Sequence, residues 1–183
     1  SMRLDELLAD WPVPVKELSF LAHSMGGLVA RSACSHAQGS GAKWRGHLRH
    51  IVFLGTPHHG APLEKAGHWI EMLLGATPWS APFVKLTGLR SAGITDLRHG
   101  SKVALPAGVH CHTVAATTAG SRSLLADRLV GDGLVPLRSA LGQGLQFPKP
   151  SQFIAYRTHH MQLLGQTNVT DKILEWLYTK PLG

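Results

Sequence analysis

The stretch that most constrains how this chain can fold runs from Leu18 to Ala33. A short, mostly apolar run, Leu18-Ser19-Phe20-Leu21-Ala22, leads directly through His23-Ser24-Met25-Gly26-Gly27 into residues with helical spacing, Leu28, Val29, Ser32 and Ala33. Gly39-Ser40-Gly41 ends that segment. The order of strand, tight turn and helix recurs at His50-Ile51-Val52-Phe53-Leu54, a β-branched apolar run that enters Gly55-Thr56-Pro57-His58-His59-Gly60. Two such units predict an α/β fold with a mostly parallel sheet flanked by helices. Leu4, Leu7, Leu8 and Trp11 precede them as a short amphipathic helix that stops at Pro12-Val13-Pro14. Val109 to Thr117 and Gln152 to Tyr156 are further strands, and Val169, Ile173, Leu174 and Leu177 mark a closing amphipathic helix. Residues from about 61 to 105 break the alternation with proline-punctuated helical pieces, which predicts a helical cap inserted into a single domain spanning residues 1–183.

Length and composition agree with one core-rich domain. A chain of 183 residues can bury roughly two-thirds of its unfolded surface, so it needs neither disulfides nor a structural metal. Apolar residues make up 44% against 16% charged, which excludes a disordered chain. Cys34 and Cys111 are too few for a disulfide framework or a four-ligand zinc site and read as buried thiols, leaving the redox compartment open. The longest uncharged run, Val103 to Ser121, is interrupted by proline, glycine, histidines and hydroxyls and is not a membrane span. Ser1-Met2 reads as a cloning scar, so the lack of a leader peptide says nothing about secretion.

The turn at Ser24 carries chemistry. Ala22-His23-Ser24-Met25-Gly26 fits the nucleophile elbow with alanine in place of the first glycine, and it lies between a strand and a helix as that motif must. The strained turn brings strand and helix close together, so the residues two before and two after the serine are expected to be small; Ala22 and Gly26 meet that demand. The helix N-terminus points free N–H groups at any anion formed there, with Met25 N–H as one oxyanion donor. The bland alternative makes Ser24 an N-cap ahead of a glycine-rich first turn.

A serine hydroxyl needs an imidazole base, and the imidazole needs a carboxylate to hold its tautomer. Asp132, in Gly131-Asp132-Gly133-Leu134-Val135-Pro136, and His160, after the strand ending near Tyr156, follow Ser24 in the order expected on such a sheet. Asp127 is a rival carboxylate in a helical ion-pair setting, and His159 a rival base that spacing does not separate from His160. Asp5, Glu64, Asp96 and Asp171 read as solvated charges.

Four blocks, AHSMGGLVAR around Ser24, LGTPHHGAP from Leu54 to Pro62, GDGLVPLRSALG from Gly131 to Gly142 and HMQLL from His160 to Leu164, together resemble the α/β-hydrolase superfamily, closest to bacterial lipases and esterases. The resemblance implies a serine carboxylic-ester hydrolase working through an acyl-enzyme. Ser24, Asp132 and His160 would form its triad, Met25 would sit in the oxyanion hole, and His23, Thr56, His58 and His59 would line the substrate pocket. It assigns the base to His160, and it implies no cofactor and a small-molecule ester as partner. Members of the family usually carry several strands and a histidine-glycine loop upstream of the elbow, and that loop supplies the second oxyanion donor. Here only one helix precedes the elbow, so the chain is expected to be either a fragment or an unusually small hydrolase. Two expectations follow: slow turnover favouring activated esters with small acyl groups, and a homo-oligomer built through the open edge of the Leu18–Ala22 strand.

Other signals are weaker. His58-His59, His110-Cys111-His112 and His47 with His50 suggest a metal, yet no third ligand is specified near the strand pair, and no metal is assigned. Trp69, Ile70, Leu73 and Leu74 fit either a roof over the site or a lid making transient contact with a lipid interface. A net charge of +7 and Lys43-Trp44-Arg45 raise a basic surface for anionic polymers, but no nucleic-acid motif accompanies them and no nucleic-acid partner is expected. A catalytically inactive hydrolase remnant serving as an interaction module is the other reading.

Overall fold

The computed structural model describes residues 2–60, 100–120 and 131–178. Most of the expected cap, Asp127, and the side chains Trp69, Ile70, Leu73 and Leu74 lie outside the described residues. Helix α1 (Met2–Ala9) leads into strand β1 (Leu18–His23), helix α2 (Gly26–Ser40), β2 (Leu48–Leu54), β3 (His110–Thr117), the one-turn helix α3 (Leu137–Ala140), β4 (Gln152–Tyr156) and the closing helix α4 (Thr167–Tyr178). The strands form a four-stranded sheet in the order β1-β2-β3-β4, and all three pairings are parallel. The α/β sheet expected from the sequence is therefore present, and its described strands are wholly parallel. Residues 100–105, expected to end the cap, run without regular structure.

At β2 and β3 both faces of the sheet are covered, which is why Ile51–Leu54 and Val114–Ala116 read as unbroken apolar runs. On one face Val52, Leu54, Val114, Ala116 and Ala155 pack with Val169, Ile173 and Trp176 of α4, three residues spaced to share one side of a helix. On the other, Ile51, Phe53 and Cys111 pack with Cys34 and Ala37 of α2, with Trp44 and with Phe147, and α1 adds Leu4 and Leu8. Helix α2 stops at Gly41, whose φ of 67° is the left-handed conformation that glycine adopts most readily.

One sequence expectation changes here. Asp5 is not a solvated charge: its carboxylate accepts the backbone N–H of Trp44 at 2.6 Å and of Lys43 at 3.2 Å, tying α1 to the turn before β2. Trp44 itself is buried in the core, so the basic stretch 43–50 has no exposed indole on which a base could stack. Cys34 and Cys111 are buried thiols, as expected. Burial, and after it the neighbouring Cys34, pushes the Cys111 thiol up to about 12. Among the described residues no helix is long and apolar enough to cross a membrane.

Candidate active site

The site assembles at the carboxyl ends of the strands. β1 ends at His23, paired with Leu54 of β2, and Ser24 follows at φ 58°, a left-handed conformation that a non-glycine residue holds only under constraint. Its backbone N–H is bound to Leu54 O at 2.8 Å. The first amides of α2 to find acceptors are Gly27, on Ser24 O at 3.1 Å, and Leu28, on Met25 O at 3.0 Å. Met25 N–H thus lies ahead of them at the positive end of the helix. Ser24 is buried, and its hydroxyl makes no hydrogen bond among the described residues. A serine-to-imidazole bond is often loose without substrate and tightens on binding.

The small residue that lets α2 approach the sheet is Gly27, not Gly26. A Cβ on Gly27 would lie 2.6 Å from Thr56 Cγ2 and 2.8 Å from Phe53 Cδ1, whereas one on Gly26 meets nothing within 4 Å among the described residues. The close approach therefore falls three residues after the serine.

Asp132 occupies a loop shaped by its glycines. A Cβ on Gly131 would collide with the Val135 carbonyl, and Gly133 takes φ 100°. One carboxylate oxygen, Oδ1, accepts the N–H groups of Leu134 at 2.9 Å and Val135 at 2.8 Å. The other, Oδ2, lies 2.6 Å from His160 Nδ1, with both side chains almost completely buried. A carboxylate only accepts, so Nδ1 carries a proton, and in the neutral ring Nε2 keeps its lone pair. A backbone bond from His160 N to Asp132 O at 3.1 Å locks the two loops together. His159 is exposed at the start of the 3-10 turn His160–Leu164: its N–H is bound to Gln162 Oε1 at 2.8 Å and its carbonyl accepts the Gln162 N–H at 3.0 Å. Between two adjacent histidines that the sequence leaves equivalent, the buried one is the partner of Asp132.

His23 reaches the same imidazole from the serine side. Its ring lies 4.6 Å from that of His160, tilted by 43°, and its Nε2 is 3.3 Å from the His160 carbonyl oxygen. Burial and the neighbouring His160 hold its pKa below the usual histidine value. Among the remaining pocket candidates, Thr56 is buried under Gly27, and His59 is exposed with its N–H on Ser139 Oγ at 3.1 Å.

His58 is fully buried between Phe53 and Phe147, and its Nδ1 accepts from Arg31 Nη1 at 3.1 Å. Burial first, and then the Arg31 guanidinium, lowers its pKa to about 3, so it serves as a neutral acceptor inside the fold. A substrate role for His58 finds no support in that placement. Arg31, which sequence reasoning missed, also donates to the carbonyls of Ser101 and Val103 and so fastens α2 to the 56–60 and 100–103 segments. Its signal in the sequence was position: it lies three residues from both Leu28 and Cys34, within the buried stripe of α2.

His50, His110 and His112 gather at the opposite end of the sheet. His50 Nδ1 and His112 Nε2 are 3.3 Å apart in nearly coplanar rings whose centroids are 5.6 Å apart. The two nitrogens therefore lie almost on the line between the rings and point at each other, which suits a hydrogen bond and not a shared ion. Among the described residues no group of three metal-capable side chains converges. A cavity of about 590 Å³ lined by Leu105, Val109, His110, Cys111 and Leu145 also opens at that end, away from Ser24.

Comparison with known proteins agrees with this architecture. A protein from Listeria innocua has a TM-score of 0.55 at 18% identity, with 98% of this chain and 64% of that one covered. The mature form of Bacillus licheniformis lipase BlEst2 has a TM-score of 0.54 at 17% identity, covering 96% and 70%. Its propeptide form gives 0.58 at 17%, covering 98% and 39%. The chain thus spans just under two-thirds of the Listeria protein's length, and at these identities the likeness establishes an α/β-hydrolase-like fold. No curated protein matches the sequence. A family model described as "Domain of unknown function (DUF7379)" matches residues 4–98, just over half of the chain and including the Ser24 turn, so the protein belongs to that family.

Proposed function

We propose that the protein is a serine ester hydrolase acting through an acyl-enzyme. The observation that carries this reading is the buried Asp132–His160 pair at 2.6 Å, reached by the residue next to a serine held at positive φ. Ser24 Oγ adds to the ester carbonyl carbon as His160 Nε2 takes its proton. Met25 N–H receives the charge that develops on the carbonyl oxygen. The tetrahedral adduct collapses, the C–O bond to the alcohol breaks, and His160 returns the proton to the leaving oxygen. Water then repeats the sequence on the acyl-Ser24 ester and releases the acid. Asp132 holds the ring orientation and stabilises the imidazolium. His23, Thr56 and His59 are the proposed pocket residues, and short-chain or activated esters the proposed substrates. The exposed apolar side chains of Met161 and Leu164, on the turn that begins at His160, suit the non-polar part of such a molecule.

The test is hydrolysis of p-nitrophenyl acetate by wild type and Ser24→Ala, with fluorophosphonate labelling mapped by mass spectrometry. Label on Ser24 and a rate lost in the variant are expected. Equal rates, or label elsewhere, would remove the reading.

A further inference from the structure

Resting on that hydrolase reading, we propose that His23 is a positioning residue for the base: it fixes His160 by donating to its backbone carbonyl while its ring braces the imidazole, so that one side chain, covalently next to the nucleophile, sets the register between nucleophile and base. The argument starts from the direction of the hydrogen bond. A carbonyl can only accept, so the 3.3 Å contact between His23 Nε2 and His160 O requires the proton on Nε2. Burial and the proximity of His160 lower the His23 pKa, which favours the neutral ring at neutral pH, and a neutral ring that donates from Nε2 carries no proton on Nδ1.

His160 is then held on three sides. Its N–H is on Asp132 O at 3.1 Å, its Nδ1 on Asp132 Oδ2 at 2.6 Å, and its carbonyl on His23. The first two contacts orient the imidazole relative to the Asp132 loop, but neither relates it to the serine turn. The third does, because His23 ends β1 and Ser24 follows it directly. The braced geometry also suits the charge that forms on the base. A neutral ring 4.6 Å away accommodates an imidazolium at His160, where a second cation at that distance would oppose it. In this role His23 does not act on the reacting atoms, whatever part it has in lining the pocket. It acts through His160.

Three variants separate the hydrogen bond from the ring. His23→Phe keeps an aromatic face and loses the donor, His23→Ala loses both, and His23→Gln restores a donor at similar reach without the ring. Phe and Ala are expected to lower kcat for p-nitrophenyl acetate by roughly 10- to 100-fold, with KM changed little, since misplacement of a catalytic group by about 1 Å costs on that order. Gln is expected to recover to within about threefold of wild type. Comparison is made among variants whose melting temperature matches wild type. Independently of any variant, ¹⁵N NMR of the wild-type protein at neutral pH is expected to show His23 protonated at Nε2 and not at Nδ1.

Undiminished kcat in His23→Phe, a Gln variant no better than Ala, or a His23 protonated at Nδ1 would overturn the inference while leaving Ser24 labelling, and with it the hydrolase reading, intact. A wild type that does not label at Ser24 would remove both.

Discussion

Asp132 uses every part of its carboxylate: Oδ2 faces His160, and Oδ1 closes its own loop through two backbone amides. Substitution therefore divides by chemistry. Asp132→Asn preserves shape but replaces an acceptor-only group beside His160 Nδ1, and is expected to lower kcat by roughly 10³- to 10⁴-fold, read from steady-state ester hydrolysis. Asp132→Ala also strands the Leu134 and Val135 amides and is expected to lose about 1–3 kcal/mol of stability in urea unfolding. The buried histidines give a second prediction. Burial and then Arg31 and His59 lower His58 to about 3; burial and then His50, His110 and Lys172 lower His112 to about 4. Both values lie below the unfolded value near 6.5, so between them the unfolded chain binds more protons than the folded one. Stability is therefore full above about pH 6.5 and falls as the pH drops, by up to about 1.4 kcal/mol per pH unit for each histidine. The His112 contribution is spent by about pH 4, and that of His58 by about 3. Melting temperatures from pH 7 to 4 check this, with His112→Gln expected to decline less steeply than wild type.

At the level of elements, the contact between α2 and the β2 loop decides where the serine turn sits. Thr56 and Phe53 occupy the space a side chain on Gly27 would need, while Gly26 has open surroundings. Gly27→Ala is expected to cost about 1–3 kcal/mol through overpacking, as helix and loop are pushed apart. Gly26→Ala is expected to be neutral or to stabilise by about 0.5–1 kcal/mol, because it removes glycine's entropic penalty from the first turn of a helix. Parallel urea melts of the two variants measure the difference, and equal destabilisation would contradict it. Arg31 works at the same scale. Its guanidinium joins α2 to His58 and to the 101–103 carbonyls, so Arg31→Met would free those acceptors inside the fold and loosen the loop that follows β2.

Over the whole molecule, the sheet is covered unevenly. α4 packs against β2, β3 and β4, but Leu21 of β1, in register with Val52 on that face, stays 59% exposed, and among the described strands β1 pairs only with β2. An open edge beside an exposed leucine invites another strand, and we propose a second copy of this chain as its partner. Light scattering is expected to give a dimer that Leu21→Lys weakens; a monodisperse monomer at working concentration would count against it. The charge of +7 is a different matter. Trp44 is in the core, and Arg45 and Arg49 donate to the carbonyls of Ala107 and Gly46, so two of the stretch's guanidiniums are tied to the backbone. Any shift of DNA in a gel is expected to vanish by physiological salt.

The sequence by itself determined the class of fold and the place of the serine turn. Apolar runs, helical spacing and the glycines around Asp132 act over a few residues, where backbone sterics and periodicity are legible without neighbours. What it left undecided involves partners far apart in the chain. His159 and His160 differ only because the latter is folded against a carboxylate 28 residues away. Gly27 matters more than Gly26 because Thr56 and Phe53 lie over it, and Arg31 and His58 are buried together, each giving the other a polar partner inside the core. Tertiary structure decided these, since burial and hydrogen-bond partnership are properties of packed surfaces and not of a residue and its immediate neighbours in sequence.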